Sequence, residues 1–323
     1  MRAPGTVSMT YAQAACLALQ EAMRADANVV ALGEDLGRGG IFGQYRGLAQ
    51  EFGPGRIIDT PISEATIMGA AVGMALAGLR PVVEMRVVDF ALCAMDELVN
   101  QAAKNRFMFG GQGRVPLVAR MPIGLWSASA AQHSQSLEAW FAHIPGLAVV
   151  VPSTPADNYG LLKAALASGD PVVYMEHKEL WAIEGEVEAG ALVPLGKARV
   201  ARAGTDLTVV TWSRSVHDCV AAAADLAKEG ISVELIDLRT LWPWDRDGVL
   251  ASCARTGRLL VVHEAVQASG FGAEVAASVA EALGVKVARL GAPRIPAGYS
   301  QPLEDESRIG AGKIAAAAKK LLA

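Results

Sequence analysis

Apolar positions along this chain follow two alternating patterns. Short, almost continuous apolar runs recur, bounded by turn or charged residues: "NVVALGED" (28–35), "RPVVEMRVVDF" (80–90), "VPLVARM" (115–121), "LAVVVPST" (147–154) and "DPVVYMEHK" (170–178). Between them lie stretches with helical spacing of apolar residues, including 11–26, 94–110 and 154–169. Strands that are apolar throughout, without polar alternation, are buried on both faces. The pattern therefore predicts a mainly parallel sheet covered by helices.

Around 185–205 the pattern weakens into "GEVEAGALVPLGKARVARAGTD", with Gly and Pro punctuation, which reads as a linker holding at most a short strand. The alternation then resumes with strands at 206–212, 232–240, 258–265 and 285–291 and a helix from about Val216 to Lys228. The fold class expected is α/β, as two open, mainly parallel domains: 1–187, a linker at 188–205, and 206–323. No internal repeat is evident.

The chain's 323 residues suffice for two domains with their own cores, and 52% hydrophobic against 19% charged residues argues for large buried interfaces. A net charge of −4 without long like-charge runs points to neither nucleic acid nor an anionic membrane. The opening stretch lacks the apolar core of a secretory signal. Cys16, Cys93, Cys219 and Cys253 are widely spaced with no C-x-x-C pair, so reduced thiols in a cytoplasmic protein are expected, with no metal cluster.

One segment raises a question. In "DTPISEATIMGAAVGMALAGLRP" (59–81) no charge occurs between Glu64 and Arg80, and the run is shorter than the ~20 residues of a membrane span. Ala65, Gly69, Gly73 and Ala77 recur every fourth residue and form a ridge of small side chains on a helix, suited to a subunit contact. Glu64 stands at the start of that helix. An acid there gains ~0.3–1 kcal/mol from the helix dipole, which is a sufficient structural account. Its apolar surroundings also predict partial desolvation and a raised pKa, which suits proton exchange.

His133 lies in the polar loop "SASAAQHSQS", a position suited to an acid/base or hydrogen-bond donor, although a single histidine is more often structural. His143, among bulky apolar residues, reads as packing, and His177, His217 and His263 as structural. There is no G-x-x-x-x-G-K-[ST], no correctly placed G-x-G-x-x-G, no H-E-x-x-H and no G-x-S-x-G. Nothing in the chain obviously holds a phosphate or metal.

The blocks "ALGEDLG…GIFG", "DTPISEATIMGAAVGMALAGLRPVVEM", "VDF…MDELVNQAAK", "AAQHSQSLEAWFAHIPGLAVVVPSTPAD", "DPVVYMEHK", "DLRTLWPWD", "VVHEAVQASGFGAEVAA" and "PLEDESRI" occur in order. Together they resemble the β subunits of the thiamine diphosphate-dependent first component of 2-oxo acid dehydrogenase complexes. The wording is most similar to acetoin dehydrogenase β subunits, with pyruvate dehydrogenase β subunits next. The resemblance implies a transketolase-like pyrimidine-binding domain followed by a transketolase C-terminal-like domain. It also implies an α subunit that grips the diphosphate and Mg2+, a second β subunit completing a heterotetramer, and a dihydrolipoyl acyltransferase core that receives the acyl unit on lipoamide.

By the same resemblance Glu64 faces a nitrogen of the cofactor's pyrimidine ring, Phe90 packs against that ring, and His133 meets the substrate or assists acyl transfer. Arg86 departs from the family pattern, which has uncharged, often aromatic residues near the ring. Buried, its guanidinium needs a partner. It is expected either to face an anionic group at the cofactor site, favouring a carboxylate-bearing substrate, or to turn outward and pair with Glu84 or Asp89. Trp126 is also bulkier than expected and would narrow the substrate pocket. A split transketolase is a weaker alternative, since the "SASAAQHSQ" loop has no basic phosphate ligands. An inactive binding module is weaker still, given Glu64, Phe90 and His133 together.

Overall fold

Val29–Gly33 is buried along its whole length and pairs in parallel with Ile57–Asp59 on one side and Arg80–Glu84 on the other. The sheet continues in parallel through Val118–Arg120 and Val172–Tyr174 to Ala148–Val150. Val118–Arg120 and Val172–Tyr174 are likewise fully buried, which is why their sequences are not alternating. The computed structural model describes residues 5–323; the first four residues of the opening stretch lie outside it.

Helices cover this sheet. Thr10 caps Tyr11–Ala25 through a reciprocal capping box with Gln13. Its buried Ala14, Ala15, Ala18 and Leu19 form a narrow face against Pro155–Ala167, a helix capped by Thr154 with Pro at its start. The run 80–90, expected as one strand, pairs only as far as Glu84. The chain then turns into the short helix Val88–Ala91, whose first amide donates to Pro122 O at 2.9 Å. Thr6–Thr10 and Glu184–Glu188 form an antiparallel pair that the apolar pattern did not reveal, because both strands carry mostly polar or exposed residues.

Two units are distinguished: Met1–Ile123 with Trp140–Leu195, and Gly124–Ala139 with Gly196–Ala323. The second has the strand order Lys286–Ala292, Arg258–Val266, Leu207–Thr211, Val233–Asp237, Arg199–Arg202. All its pairings are parallel except that of Arg199–Arg202, the short strand within the linker region. Helices Ser215–Lys228 and Ala311–Leu322 close its core over Leu207, Leu235 and Leu260. No helix among the described residues is long and apolar enough to cross a membrane.

In the first unit the register sets Asp59, Gly33, Glu84, Arg120 and Tyr174 level with one another across neighbouring strands. These are strand ends, so several loops leave the sheet along one carboxyl edge, where open α/β sheets build their sites.

Candidate functional site

Three loops leaving that edge carry charge. After Gly33 come Glu34 and Asp35; after Asp59 the chain runs to Glu64; after Glu84 it reaches Arg86. Gly33 permits the close approach, because a Cβ there would lie 2.7 Å from the Glu84 carbonyl oxygen. Thr60 N donates to Gly33 O at 3.0 Å and Gly37 N to Asp59 Oδ1 at 2.9 Å, tying the first two loops together. Asp35 adopts φ 60°, a left-handed conformation uncommon outside glycine and one that clusters at functional positions.

Arg86 Nη1 stands 2.8 Å from Asp35 Oδ2 and 3.9 Å from Glu34 Oε2. Its partners are thus neither Glu84 nor Asp89, the two acids nearest in sequence. Glu84 instead points beneath the edge, where it accepts from the Tyr45 hydroxyl at 2.9 Å. Burial pushes the Glu34 carboxyl up; Arg86 draws it down, while Glu64 and Asp35 push it further up. Glu34 therefore feels the charge of Glu64, and it shares the Arg86 guanidinium with Asp35.

Glu64 opens the helix Glu64–Leu76 and is half-buried. The buried face of that helix is Ile67, Met68, Ala71, Val72 and Ala75; Gly73 and Ala77 of the small-residue ridge are exposed. The helix thus leaves one uncharged face exposed. Phe90 sits half-buried on Val88–Ala91, four residues after Arg86.

Below the edge lies a charge network that the sequence did not announce. Arg120, fully buried, donates to Glu176 Oε2 from Nε at 2.9 Å and from Nη2 at 2.6 Å. Asn158 donates to Glu176 Oε1 at 2.9 Å and Tyr174 to Asn158 O at 2.9 Å. Burial pushes Glu84 from its ordinary 4.5 to about 7, against the pull of Arg120, with Glu176 adding to the rise.

His133 belongs to the segment Gly124–Ala139, which packs within the second unit. Leu125 N donates to Glu264 at 2.8 Å and Trp212 Nε1 to Glu138 at 3.0 Å, fixing the ends of this segment. Its loop holds Ser127, Ala128 and Ala130 at positive φ, with His133 and Trp126 exposed and the Ser134 hydroxyl buried without a partner. Glu64, Arg86 and Phe90 thus come from one unit and His133 from the other. His143 is exposed beyond the helix Glu138–Ala142, not packed as its apolar neighbours suggested. His177 is structural: its Nδ1 accepts from Glu179 N at 3.1 Å at the start of a short helix.

Glu34 and Asp35 were missed as site residues, although an acidic pair directly after an all-apolar strand was visible. Of the cysteines, Cys219 and Cys253 are buried, and burial raises both thiols, Cys253 to about 11. Neither is poised as a nucleophile. Among the described residues no group of three or more His, Cys, Asp or Glu is arranged to hold a metal ion.

Residues 7–182 match the transketolase pyrimidine-binding domain and residues 196–314 the transketolase C-terminal domain. The chain is 44% identical over 321 residues to the acetoin:2,6-dichlorophenolindophenol oxidoreductase subunit β of Cupriavidus necator, covering 94% of this chain and 95% of that one. It is 41% identical to the 2-oxoisovalerate dehydrogenase subunit β of Bacillus subtilis (97% and 98% covered). Identity is also 41% to a mitochondrial pyruvate dehydrogenase E1 component subunit β-2 of Oryza sativa subsp. japonica (97% and 86%). Among solved structures, a split-gene transketolase described as an inactive β4 tetramer superposes with a TM-score of 0.82 at 22% identity, covering 97% of this chain and 98% of that one. This supports the two-domain fold.

Proposed function

Because the chain belongs to the β subunits of thiamine diphosphate-dependent 2-oxo acid and acetoin dehydrogenases, we propose that it forms the pyrimidine side of an acetoin-cleaving enzyme. An α subunit completes this enzyme by holding the diphosphate and Mg2+. The acetyl unit then passes to lipoamide on an acyltransferase core. The free thiols suit a cytoplasmic setting.

The residues present fit such a cofactor. Glu64 offers a half-buried carboxyl for a ring nitrogen, and Phe90 a half-buried aromatic side chain on the segment after Arg86. The Thr60 hydroxyl, four residues before Glu64, is buried without a partner. Bound thiamine diphosphate supplies a carbon nucleophile and an electron sink. In this reading Glu64 holds a proton at the ring nitrogen, and Phe90 excludes water from the ring and orients it. His133 donates a hydrogen bond to the substrate oxygen. The uncharged exposed face of Glu64–Leu76 is a subunit contact.

The observation that carries the choice of acetoin is the ion pair of Arg86. Facing an anionic group at the cofactor site, Arg86 would favour a carboxylate-bearing substrate; its guanidinium is instead bound to Asp35 at 2.8 Å, so that sign of a 2-oxo acid is missing. The 44% identity to the acetoin:2,6-dichlorophenolindophenol oxidoreductase subunit β, against 41% to the 2-oxoisovalerate and pyruvate dehydrogenase subunits, supports the same choice. The test uses the chain assembled with its α subunit, Mg2+ and thiamine diphosphate, following reduction of an artificial electron acceptor. Acetoin should be turned over at least tenfold faster than pyruvate or branched-chain 2-oxo acids, and Glu64→Gln should abolish turnover with assembly intact. Preference for a 2-oxo acid would overturn the substrate, and an active Glu64→Gln variant would overturn the role of Glu64.

A further inference from the structure

The sheet of the second unit changes its direction of growth once. From Leu207–Thr211 the chain crosses to Val233–Asp237 on one side, then returns to place Arg258–Val266 on the other. The crevice beyond the carboxyl ends of Leu207–Thr211 and Arg258–Val266 is therefore a switch point, where open parallel sheets receive ligands. Here the chain's own segment Gly124–Ala139 is fastened. Trp212, directly after Leu207–Thr211, donates from Nε1 to Glu138 Oε1 at 3.0 Å. Glu264, on the neighbouring strand, accepts from Leu125 N at 2.8 Å. Leu125 and Glu138 are 3% and 2% exposed, whereas His133 between them is exposed.

The anchors and the loop are both held. The Trp212 indole stacks on His263, with ring centroids 5.1 Å and planes 18° apart, and meets Phe271 edge-on at 6.0 Å. Gly124 N donates to Gln135 O at 3.0 Å, closing the loop two residues after His133. His133 N itself donates to Ala130 O at 3.3 Å. Ser127, Ala128 and Ala130 stand at φ 50°, 52° and 66°, a region that residues other than glycine keep only where surrounding contacts fix them. No helix or strand lies within residues 124–137, so the two ends carry the restraint.

We propose that Glu264 and Trp212 are positioning residues for His133: the carboxyl edge of the second unit clamps the loop at both ends and so fixes how its histidine is presented. The inference rests on the reading of His133 as the group that meets substrate. It requires of Glu264 no contact with substrate or cofactor.

The test uses the chain assembled with its α subunit, Mg2+ and thiamine diphosphate. Glu264→Ala removes the acceptor for Leu125 N, whereas Glu264→Gln keeps a carbonyl oxygen in its place. Glu264→Ala should lower kcat about 10- to 100-fold, the scale of a small misplacement at a reacting centre, with thiamine diphosphate affinity unchanged. Glu264→Gln should restore most of that turnover. Combined with His133→Ala, Glu264→Ala should cause no further loss, because nothing is left for it to position. A purely structural role would multiply the two losses. Hydrogen exchange gives a readout independent of turnover. Amides of residues 125–137 should exchange faster in Glu264→Ala but not in Glu264→Gln, with those of Leu207–Thr211 unchanged.

Losses that multiply, or loop exchange in Glu264→Ala equal to the parent's, would overturn the proposal. If Glu264→Ala fails to assemble, Trp212→Phe decides it, since this variant deletes the indole donor yet keeps an aromatic ring against His263. Its loss of turnover should vanish in the His133→Ala background. Parental turnover in Trp212→Phe, or a loss that persists in that background, is a refutation. His133→Ala separates the two levels. If that variant turns over like the parent, the reading of His133 falls and the proposal with it. If it is impaired while Glu264→Ala is not, only the clamp falls.

Discussion

Arg120 Nη2 lies 2.6 Å from Glu176 Oε2, and neither side chain reaches solvent. The guanidinium also stacks over the Tyr45 ring, 5.0 Å from its centroid, and Glu84 is 3.8 Å away. A cation, two acids and their hydrogen-bonding neighbours thus sit beneath the candidate site. Such a pair adds little net stability over an apolar replacement, but breaking it leaves a buried charge uncompensated.

Glu176→Gln should therefore destabilise the first unit by about 3–5 kcal/mol. Chemical denaturation followed by fluorescence would measure it, against the exposed Glu188→Gln as control. Equal midpoints for the two variants would show that Glu84 alone compensates Arg120.

Glu84 makes stability depend on pH. Its folded value, about 7, lies above the ordinary 4.5, so between those values the folded chain binds the proton more often than the unfolded chain. Stability from this group is full below about 4.5 and declines as pH rises to about 7, by roughly 3 kcal/mol in all. Glu84→Gln should lose this decline. Thermal midpoints from pH 4.5 to 8 would show it; parallel curves for parent and variant would mean that Glu84 titrates normally.

His263 acts with the opposite sign in the second unit. Buried against Trp212, with ring centroids 5.1 Å apart, its imidazole falls from 6.5 to about 4. Burial is the main cause, and the Nδ1 contact with Ala265 O at 3.0 Å opposes it only partly. The unfolded chain takes up the proton first, so stability from this group is full above 6.5 and lost as pH falls toward 4, again by roughly 3 kcal/mol. His263→Phe should lose this rise, read as the difference from the parent in the thermal midpoint of the second unit from about pH 4 to 7; parallel curves would mean that His263 titrates normally.

His133→Ala should lower turnover by about 10²–10⁴-fold, the range of general acid–base contributions, while assembly and thiamine diphosphate binding stay near normal. Steady-state kinetics with calorimetry would check both. Loss of cofactor binding instead would place His133 among the residues that shape the loop rather than those that meet substrate.

The acidic edge was only half legible in the sequence. Glu64 could be singled out because an isolated charge before a long apolar helix is a local anomaly, and His133 because it stands in a polar loop. Glu34, Asp35 and Arg86 looked like separate charges, since their association depends on strands that pair across 20 to 50 residues of intervening chain. Arg86 shows the limit best: its neighbours in sequence suggested Glu84 or Asp89, and the parallel register delivered Asp35. The buried Arg120–Glu176 pair was hidden for the same reason, each member being a single charge within or after an apolar strand.

What the sequence determined by itself was the class of the fold and most of its buried elements. Continuous apolar runs, helical spacing and the ridge from Ala65 to Ala77 are local signals that follow from backbone geometry and side-chain burial. Tertiary structure alone decided which charges meet. Strand order and register are set by long-range packing, and they place Asp59, Gly33, Glu84 and Arg120 side by side at one sheet edge. Electrostatic partnership depends on distance through space over a few ångströms, and the periodicity of a chain carries no such distance.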